Sequence, residues 1–371
     1  MKTKNISIKS TAVLSVIALI TIASLVIVEQ LKSDKKQDHY YEKIEAAHLN
    51  RKLQKHLKET FFKDEIVINN INDPNSTGLI GQQFTEITSG RGSLPIKLST
   101  MNPNFSAMVV QQMKNAGLKK GDKVAMCFTG SFPALNIAVI AEIETLELEA
   151  VLITSVTSSS WGANDPNLTW VDIQNELYQS NLISFMPKAS SIGGNQDIGI
   201  TLSKDGRQKA IDAIERNNIP LIKGKNLEDN IAERMALFNA EQGVKLFINV
   251  GGGVASLGSH NNSRNLPSGF RDNLKHHDFA DKQGIVYEMV KQDIPIINLL
   301  NIDRLLRRYQ LPRDPMPLPK PGEGTLYHAN KYDLVTVSIA LTILIGLLVI
   351  AMYYDKKQNA LGIQIIKTQT N

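Results

Sequence analysis

A serine and a glycine occur together at the point where a strongly apolar segment of the sequence ends. The segment Thr129-Gly130-Ser131-Phe132-Pro133 follows a strand predicted over 123–128. Ligands of open parallel sheets bind at the carboxyl ends of the strands, beside the N-termini of the following helices. Ser131 could therefore be the nucleophile of a hydrolase or transferase, with Asp165 or Asp172 as an acid/base partner. The same segment also fits the capped start of a helix with no catalytic role. The G-x-S-x-G elbow of serine hydrolases is absent, which argues against a nucleophile.

Two further polar segments follow predicted strands. A strand predicted at 150–156 is followed by the segment Thr157-Ser158-Ser159-Ser160-Trp161-Gly162-Ala163-Asn164-Asp165-Pro166, whose polar side chains and indole could form a pocket. A strand predicted at 245–250 leads into the segment Asn249-Val250-Gly251-Gly252-Gly253-Val254-Ala255-Ser256-Leu257-Gly258, whose glycines allow close approach to the backbone. It matches neither the G-x-G-x-x-G pattern nor a P-loop. The predicted ligand-binding residues are Thr129, Gly130, Ser131, Ser160, Trp161, Asn164, Asn249, Gly251, Gly252 and Gly253.

The sequence identifies no metal site and no cofactor. His276 and His277 are adjacent and have no spaced partner, unlike the ligands of zinc sites. Cys127 is the single cysteine, which excludes an intramolecular disulfide. Because it lies in a predicted buried strand, we expect an inert core thiol.

Strands and helices alternate from residue 65 to residue 310, and these elements must position the polar segments. The other strands are predicted at 220–222 and 294–297. Helices are predicted over 103–116, 133–146, 168–179, 205–217, 227–241, 285–291 and 302–309. This alternation predicts an α/β fold with a mainly parallel sheet and helices on both faces, similar to Rossmann folds.

An uncharged apolar run lies near each end of the chain, at 11–28 and at 334–354. About 20 helical residues at ~1.5 Å each cover the ~30 Å hydrocarbon layer of a bilayer. We therefore predict two single transmembrane helices in contact with the lipid bilayer. A cleaved signal peptide is the alternative for the first run. That run exceeds the usual length, however, and no A-x-A-like site follows it.

Lysines flank the two runs on their outer sides, in the tails 1–10 and 355–371. The positive-inside rule places both tails in the cytoplasm and the large middle outside the inner (plasma) membrane. Lys32, Lys35 and Lys36 lie beyond the first run and oppose this orientation. The alternative is an inverted topology, with a cytoplasmic domain whose glycine-rich loops hold a nucleotide.

Two segments connect the apolar runs to the α/β domain. Residues 29–64 are charged and have an apolar residue every three to five positions, which predicts an amphipathic helix. This helix forms either a stalk or a layer packed on the domain, and we assign it as a stalk. Residues 311–333 begin with five prolines, which predicts an extended, polyproline-like spacer.

The charge balance argues against nucleic acid as a partner. The chain has 41 Lys and Arg against 36 Asp and Glu, a net charge of +5. Without six lysines of the tails and Asp355, 35 basic and 35 acidic residues remain, so the middle is neutral. Nucleic-acid-binding domains carry a basic patch or stripe.

Taken together, the segments resemble the bacterial poly-γ-glutamate system protein family. The resemblance rests on Thr77-Gly78-Leu79-Ile80-Gly81, Asn102-Pro103, Gly121-Asp122, Gly130-Ser131-Phe132-Pro133-Ala134-Leu135-Asn136, Ser160-Trp161-Gly162-Ala163-Asn164 and the glycines 251–253. It covers most of the chain, including an apolar span at each end.

The resemblance implies an accessory part in the synthesis or export of poly-γ-glutamate. The implied partners are the subunits of the membrane-associated polymer synthase and the polymer itself. The family supplies no catalytic residues. We therefore expect a binding or partner-organising role. The alternative is an extracytoplasmic serine hydrolase or transferase that acts on amide bonds or envelope polymer.

Overall fold

The computed structural model describes residues 10–62 and 69–369. They form two units, one from Asp38 to Tyr327 and one made of the terminal segments up to Gln37 and from His328. The predicted tail 1–10 lies outside the described residues except for Ser10, as do residues 63–68 and 370–371.

The helices and strands are numbered in chain order. The helices are α1 (Thr11–Gln30), α2 (Tyr40–Phe61), α3 (Leu94–Thr100), α4 (Phe105–Asn115), α5 (Pro133–Thr145), α6 (Trp170–Gln179), α7 (Lys204–Arg216), α8 (Leu227–Ala240), α9 (Val254–Leu257), α10 (His260–Asn265), α11 (Ile285–Lys291), α12 (Ile302–Tyr309) and α13 (Leu334–Gln369). The strands are β1 (Ser33–Lys36), β2 (Thr88–Gly90), β3 (Lys123–Thr129), β4 (Glu149–Ser155), β5 (Ser158–Ser159), β6 (Asn164–Asp165), β7 (Leu168–Thr169), β8 (Ala189–Ser191), β9 (Val244–Val250), β10 (Gly269–Arg271), β11 (Ile296–Leu299) and β12 (His328–Lys331).

A six-stranded sheet in the order β10-β11-β9-β3-β4-β8 organises the unit from Asp38 to Tyr327. The strands from β11 to β8 are parallel, and β10 joins the edge antiparallel to β11. Counted along the chain, the five parallel strands lie in the spatial order 3-2-1-4-5, as in doubly wound sheets. The predicted α/β class with a mainly parallel sheet is confirmed.

The central strand β3 is buried on both faces, because its side chains alternate between two apolar layers. Val124, Met126 and Phe128 belong to the core that includes side chains of α2, α4 and α5. Ala125 and Cys127 belong to the core that includes side chains of α8 and α11. A strand covered on both faces has to be apolar throughout, which explains its continuous hydrophobic sequence.

The amphipathic helix α2 packs on the α/β unit, which differs from the predicted stalk over 29–64. Its buried stripe includes Ala46, Ala47, Leu53 and Leu57, which are at most 1% exposed. Burial of each leucine stabilises the fold by about 1.5–3 kcal/mol. The helix therefore belongs to the core, and the α/β unit begins at Asp38 rather than at residue 65.

The proline-rich segment also packs on the unit, up to Tyr327, and is not a free spacer over 311–333. Asn75 Nδ2 donates to the Pro315 carbonyl at 2.9 Å, and Asn104 Nδ2 donates to the Lys320 carbonyl at 2.9 Å. Carbonyl groups of this segment make no regular ladder, so side-chain amides satisfy them instead.

Both ends of this unit lie side by side. Lys43 Nζ donates to the Leu326 carbonyl at 3.1 Å, and the rings of Tyr40 and Tyr327 meet edge to face at a centroid distance of 6.3 Å. The unit therefore begins and ends at the same place on its surface.

The terminal unit contains two helices that are long and apolar enough to cross a membrane, Thr11–Gln30 and Leu334–Lys357. Helix α13 continues past the predicted boundary at 354 to Gln369. Strands β1 and β12 pair antiparallel, with Ser33 opposite Lys331 and Lys36 opposite His328.

Candidate functional site

A cleft of about 860 Å³ lies at the carboxyl ends of the parallel strands. Thr129 lines it from the end of β3, Ser155 from the end of β4, and Gly252 and Gly253 from the loop after β9. The strand order reverses between β3 and β9. Ligands of doubly wound sheets bind at this position, in the crevice outside the strand ends.

A buried lysine is the most unusual group in this cleft. Helix α3, which has a proline in its first turn, holds Lys97 at 1% exposure. Its Nζ donates to the Ser131 carbonyl, lies 2.9 Å from Ser159 Oγ and lies 4.0 Å from the centre of the Phe132 ring. Among the described residues, no carboxylate forms an ion pair with it.

Burial lowers the pKa of Lys97 to about 7, because the ammonium form loses its hydration. The Ser131 carbonyl and the Phe132 ring face stabilise the ammonium and oppose this shift. At neutral pH, therefore, a substantial fraction of Lys97 is the neutral amine. A neutral amine has two N–H groups and one lone pair, so it can donate to Ser131 and accept the Ser159 hydroxyl proton.

Ser159 is held rigidly opposite this amine. It lies in β5, which pairs with β2 so that Ser159 is in register with Gly90. Its backbone N–H donates to Ser131 Oγ at 3.0 Å. A serine hydroxyl next to a neutral lysine is the arrangement of nucleophile and base that serine–lysine hydrolases use.

Ser131, the serine predicted as a candidate nucleophile, lines the same cleft. Its Oγ accepts the Ser159 N–H, and it is its backbone carbonyl that contacts Lys97. Ser131 therefore positions both members of the serine–lysine pair, while Ser159 is the serine whose hydroxyl contacts a base.

Gly92 permits the close packing around the pair. A Cβ at this position would lie 2.2 Å from the Ser160 carbonyl oxygen, 3.2 Å from Lys97 Cε and 3.2 Å from Ser159 Oγ. The first distance is shorter than any real contact, so only glycine fits here without a shift of the backbone.

A buried ion pair supports another wall of the cleft. Arg234 Nη2 lies 2.9 Å from Asp197 Oδ2, and the two side chains are 3% and 4% exposed. Ser191 and Asn230 also donate to the Asp197 carboxylate. Arg234 Nη1 approaches Cys127 Sγ at 3.8 Å. Burial raises the pKa of the Cys127 thiol to about 11, which agrees with the expected inert thiol.

Four of the ten predicted ligand-binding residues line this cleft: Thr129, Ser131, Gly252 and Gly253. The others lie in the strand ends and loops around it, at Gly130, Ser160, Trp161, Asn164, Asn249 and Gly251.

Two of these polar side chains serve the backbone. Asn164 exchanges hydrogen bonds with the backbone of Gln82, at 2.9 Å and 2.8 Å. Asn249 Nδ2 donates to the Gly251 carbonyl at 2.9 Å and to Asn298 Oδ1 at 2.8 Å. Both asparagines hold loop conformations.

The two predicted acid/base partners are not in the cleft. Asp165 lines a separate pocket, together with Arg216. Asp172 caps α6 by accepting from the Thr169 backbone at 2.7 Å, and it accepts from Arg216 Nε at 2.7 Å. The carboxylate of Asp172 thus caps a helix terminus and forms an ion pair. Among the described residues, no carboxylate is a partner of Ser131.

Lys97 was not among the residues predicted from the sequence. Ser159 belongs to the predicted polar segment 157–166 but was not named as a ligand-binding residue. The available signal is a lone lysine between the apolar residues Ile96 and Leu98. Lysine is almost never fully buried, so its burial is visible only in the folded chain.

Among the described residues, no group of three or more His, Cys, Asp or Glu side chains could hold a metal ion. No protein-family model matches the chain, and comparisons with curated proteins and with solved structures find no match either.

Proposed function

We propose that this protein is a hydrolase or transferase that acts on an ester or amide bond, with Ser159 as nucleophile and Lys97 as its base. The observation that carries this proposal is the 2.9 Å contact between Ser159 Oγ and the Nζ of a lysine whose pKa burial lowers to about 7. The contact lies in the cleft of about 860 Å³ at the strand ends.

The proposed reaction follows from the groups present. Lys97 takes the Ser159 hydroxyl proton as Oγ attacks the substrate carbonyl, which forms an ammonium and a tetrahedral adduct. The ammonium then gives this proton to the leaving amine or alcohol as the bond to the acyl group breaks. Water or a second acceptor attacks the acyl-serine, with Lys97 again taking the proton. Lys97 returns this proton to Ser159 Oγ as the bond between the acyl group and Oγ breaks, which releases the product and regenerates the neutral amine. The Ser131 carbonyl and the Phe132 ring stabilise the intermediate ammonium.

The first test uses a fluorophosphonate probe on the purified full chain in detergent. We expect covalent labelling, mapped to Ser159 by mass spectrometry, that is lost in Ser159→Ala and strongly reduced in Lys97→Met. Thr201→Ala is the matched control, because it removes a hydroxyl from the cleft lining without touching the pair. Labelling that persists in Ser159→Ala, or no labelling of the wild type from pH 7 to 9, would refute the proposal.

For the biological setting, we propose a membrane-anchored member of a poly-γ-glutamate synthesis or export system. The sequence resemblance supports this setting, and so do the two terminal helices of sufficient length and apolarity. In the proposed topology both termini are cytoplasmic and the α/β unit is outside the plasma membrane. The proposed partners are the synthase subunits and the polymer.

An accessory binding role is the second candidate within this setting, and the exposed Arg91 in the cleft favours it because poly-γ-glutamate is anionic. Cell-associated and released polymer would be measured in a deletion strain complemented with wild type or with Ser159→Ala. Restoration by both favours binding, and restoration by wild type alone favours catalysis. Unchanged polymer after deletion would remove the setting.

We also propose that the α/β unit has a Rossmann-like fold. The 3-2-1-4-5 order of the parallel strands supports it, together with a cleft at the position where that order reverses.

A further inference from the structure

Among the described residues, the cleft lining has few ionisable side chains, and only some of them have an ion-pair partner. They are Arg91, Lys97, Asp197, His260 and Asp303. Each of the two acids has a cationic partner. Asp197 pairs with the buried Arg234, and Asp303 lies 3.4 Å from Arg313 Nη1.

The guanidinium of Arg91 has no such partner in the part of the chain that the structure describes. It is exposed at the cleft, and no residue of the described ranges forms an ion pair or a side-chain hydrogen bond with it. Its backbone, in contrast, is fixed on both sides. The preceding Gly90 carbonyl accepts the Ser160 N–H at 2.9 Å, and the following Gly92 packs against Lys97 and Ser159.

The segment from Gly90 to Gly92 therefore combines two features. Its Arg91 guanidinium has no ion-pair partner among the described residues, and its Gly92 packs beside the serine–lysine pair. With both acids neutralised, the cleft presents excess positive charge to a ligand. A guanidinium fork recognises planar oxyanions, above all carboxylates, through two parallel hydrogen bonds.

We infer that the substrate of this cleft carries a carboxylate close to the bond that is cleaved or transferred, and that Arg91 binds this carboxylate. The inference rests on the proposed function and specifies its substrate class. In this assignment Arg91 binds the carboxylate of the substrate, whereas Ser159 attacks the acyl carbon and Lys97 transfers the proton.

A pair of chromogenic amides tests the inference. Glutaryl-p-nitroanilide carries a terminal carboxylate, and its ω-carboxamide analogue has nearly the same shape without the charge. With the full chain in detergent, we expect kcat/KM to favour the carboxylate about tenfold, as for other hydrogen bonds to charged groups. The preference should fall as salt is raised, because Arg91 is exposed.

Substitution of Arg91 should change the selectivity between the two substrates. In Arg91→Met the preference should disappear through a higher KM for the carboxylate substrate, so that the two amides react with similar kcat/KM. Arg91→Lys should restore part of the preference. Arg51→Met is the matched control, since Arg51 is an exposed arginine of α2 that does not line the cleft.

A protection experiment separates failure of this inference from failure of the proposed function. Glutarate should slow fluorophosphonate labelling of Ser159 in wild type and not in Arg91→Met, and inorganic phosphate should protect less. If Ser159 is labelled but glutarate gives no protection and the two amides react equally, the inference is wrong. Stronger protection by phosphate than by glutarate would also overturn the carboxylate assignment. If Ser159 is not labelled at all, the proposed function fails and the inference fails with it.

Discussion

Lys97 Nζ and Ser159 Oγ lie 2.9 Å apart although 62 residues separate them in the chain. The two residues reach each other because β2 pairs with β5, which brings the segment before α3 beside the segment after β4. The pair is thus a product of the tertiary fold. Its chemistry depends on the burial of the lysine, which keeps an amine near neutrality where an exposed lysine would be fully charged.

The rate of Ser159 labelling should rise with pH through about 7, because only the neutral form of Lys97 accepts the hydroxyl proton and its pKa is lowered to about 7. The measurement is the labelling rate between pH 5.5 and 9. Lys97→Arg, which stays charged throughout, should remain unreactive over the same range. A wild-type midpoint near 10 would show that the lysine has its ordinary pKa and is not the base.

The burial of Lys97 should also make stability depend on pH. Above pH 7 the folded protein holds the neutral amine, whereas the unfolded chain stays protonated up to its ordinary pKa of 10.5. The unfolded state therefore binds more protons in this window, and wild-type stability contains a component that rises with pH by up to about 1.4 kcal/mol per unit. The free energy of unfolding of Lys97→Met relative to wild type should therefore be highest at pH 7 and should decrease toward pH 10.

Chemical denaturation of the full chain in detergent measures this difference at several pH values. Lys52→Met is the control, because Lys52 is exposed on α2. A difference between Lys97→Met and wild type that is constant from pH 7 to pH 10 would contradict the lowered pKa.

Gly92→Ala should slow the labelling of Ser159. The added Cβ would lie 2.2 Å from the Ser160 carbonyl oxygen, so the segment has to move away from Lys97 and Ser159. We expect at least a tenfold loss of labelling rate, since displacements of ~1 Å can cost on the order of 100-fold. Gly90→Ala is the matched control, as its Cβ would meet no atom within 4 Å. Equal labelling by both variants would show that Gly92 does not support the pair.

Asp197→Asn should destabilise the protein by about 3–5 kcal/mol, because it leaves the buried Arg234 without its anion. Asp303→Asn provides the contrast within the same cleft. The Asp303–Arg313 pair is 43% and 56% exposed, so its loss should cost less than about 1 kcal/mol. Thermal or denaturant unfolding of both variants checks the prediction, and similar losses in the two would contradict it.

The parallel sheet and its carboxyl edge were predictable from the sequence. The strand at β3 is apolar throughout and is followed by Gly130 and Ser131, so both its burial and the polar edge after it follow from local pattern. Residues next to the site could be named in this way, among them Thr129 and Ser131.

The contact between the proposed base and the proposed nucleophile was not predictable. Ser159 lies in a polar segment visible in the sequence, but Lys97 belongs to no local motif, and their contact depends on a strand pairing between distant segments. Helix α2 shows the same limit. The amphipathic pattern of α2 predicts that Leu53 and Leu57 pack against an apolar surface. It does not identify that surface, which the structure shows to be the core with side chains of α4 and α5.

The pairing of β1 with β12 has a consequence for how the chain is organised. Lys36 and His328 face each other, so the terminal segments alone describe a closed hairpin with a helix on each arm. The α/β unit is an insertion between Gln37 and His328, and its two ends already meet at Tyr40 and Tyr327. Excising that insertion and joining its flanks by a short turn would preserve the pairing of the ribbon. In the excised unit, a short linker could join the adjacent ends near Tyr40 and Tyr327 without passing through the core. New termini could then be opened in a surface loop, which gives a circular permutant.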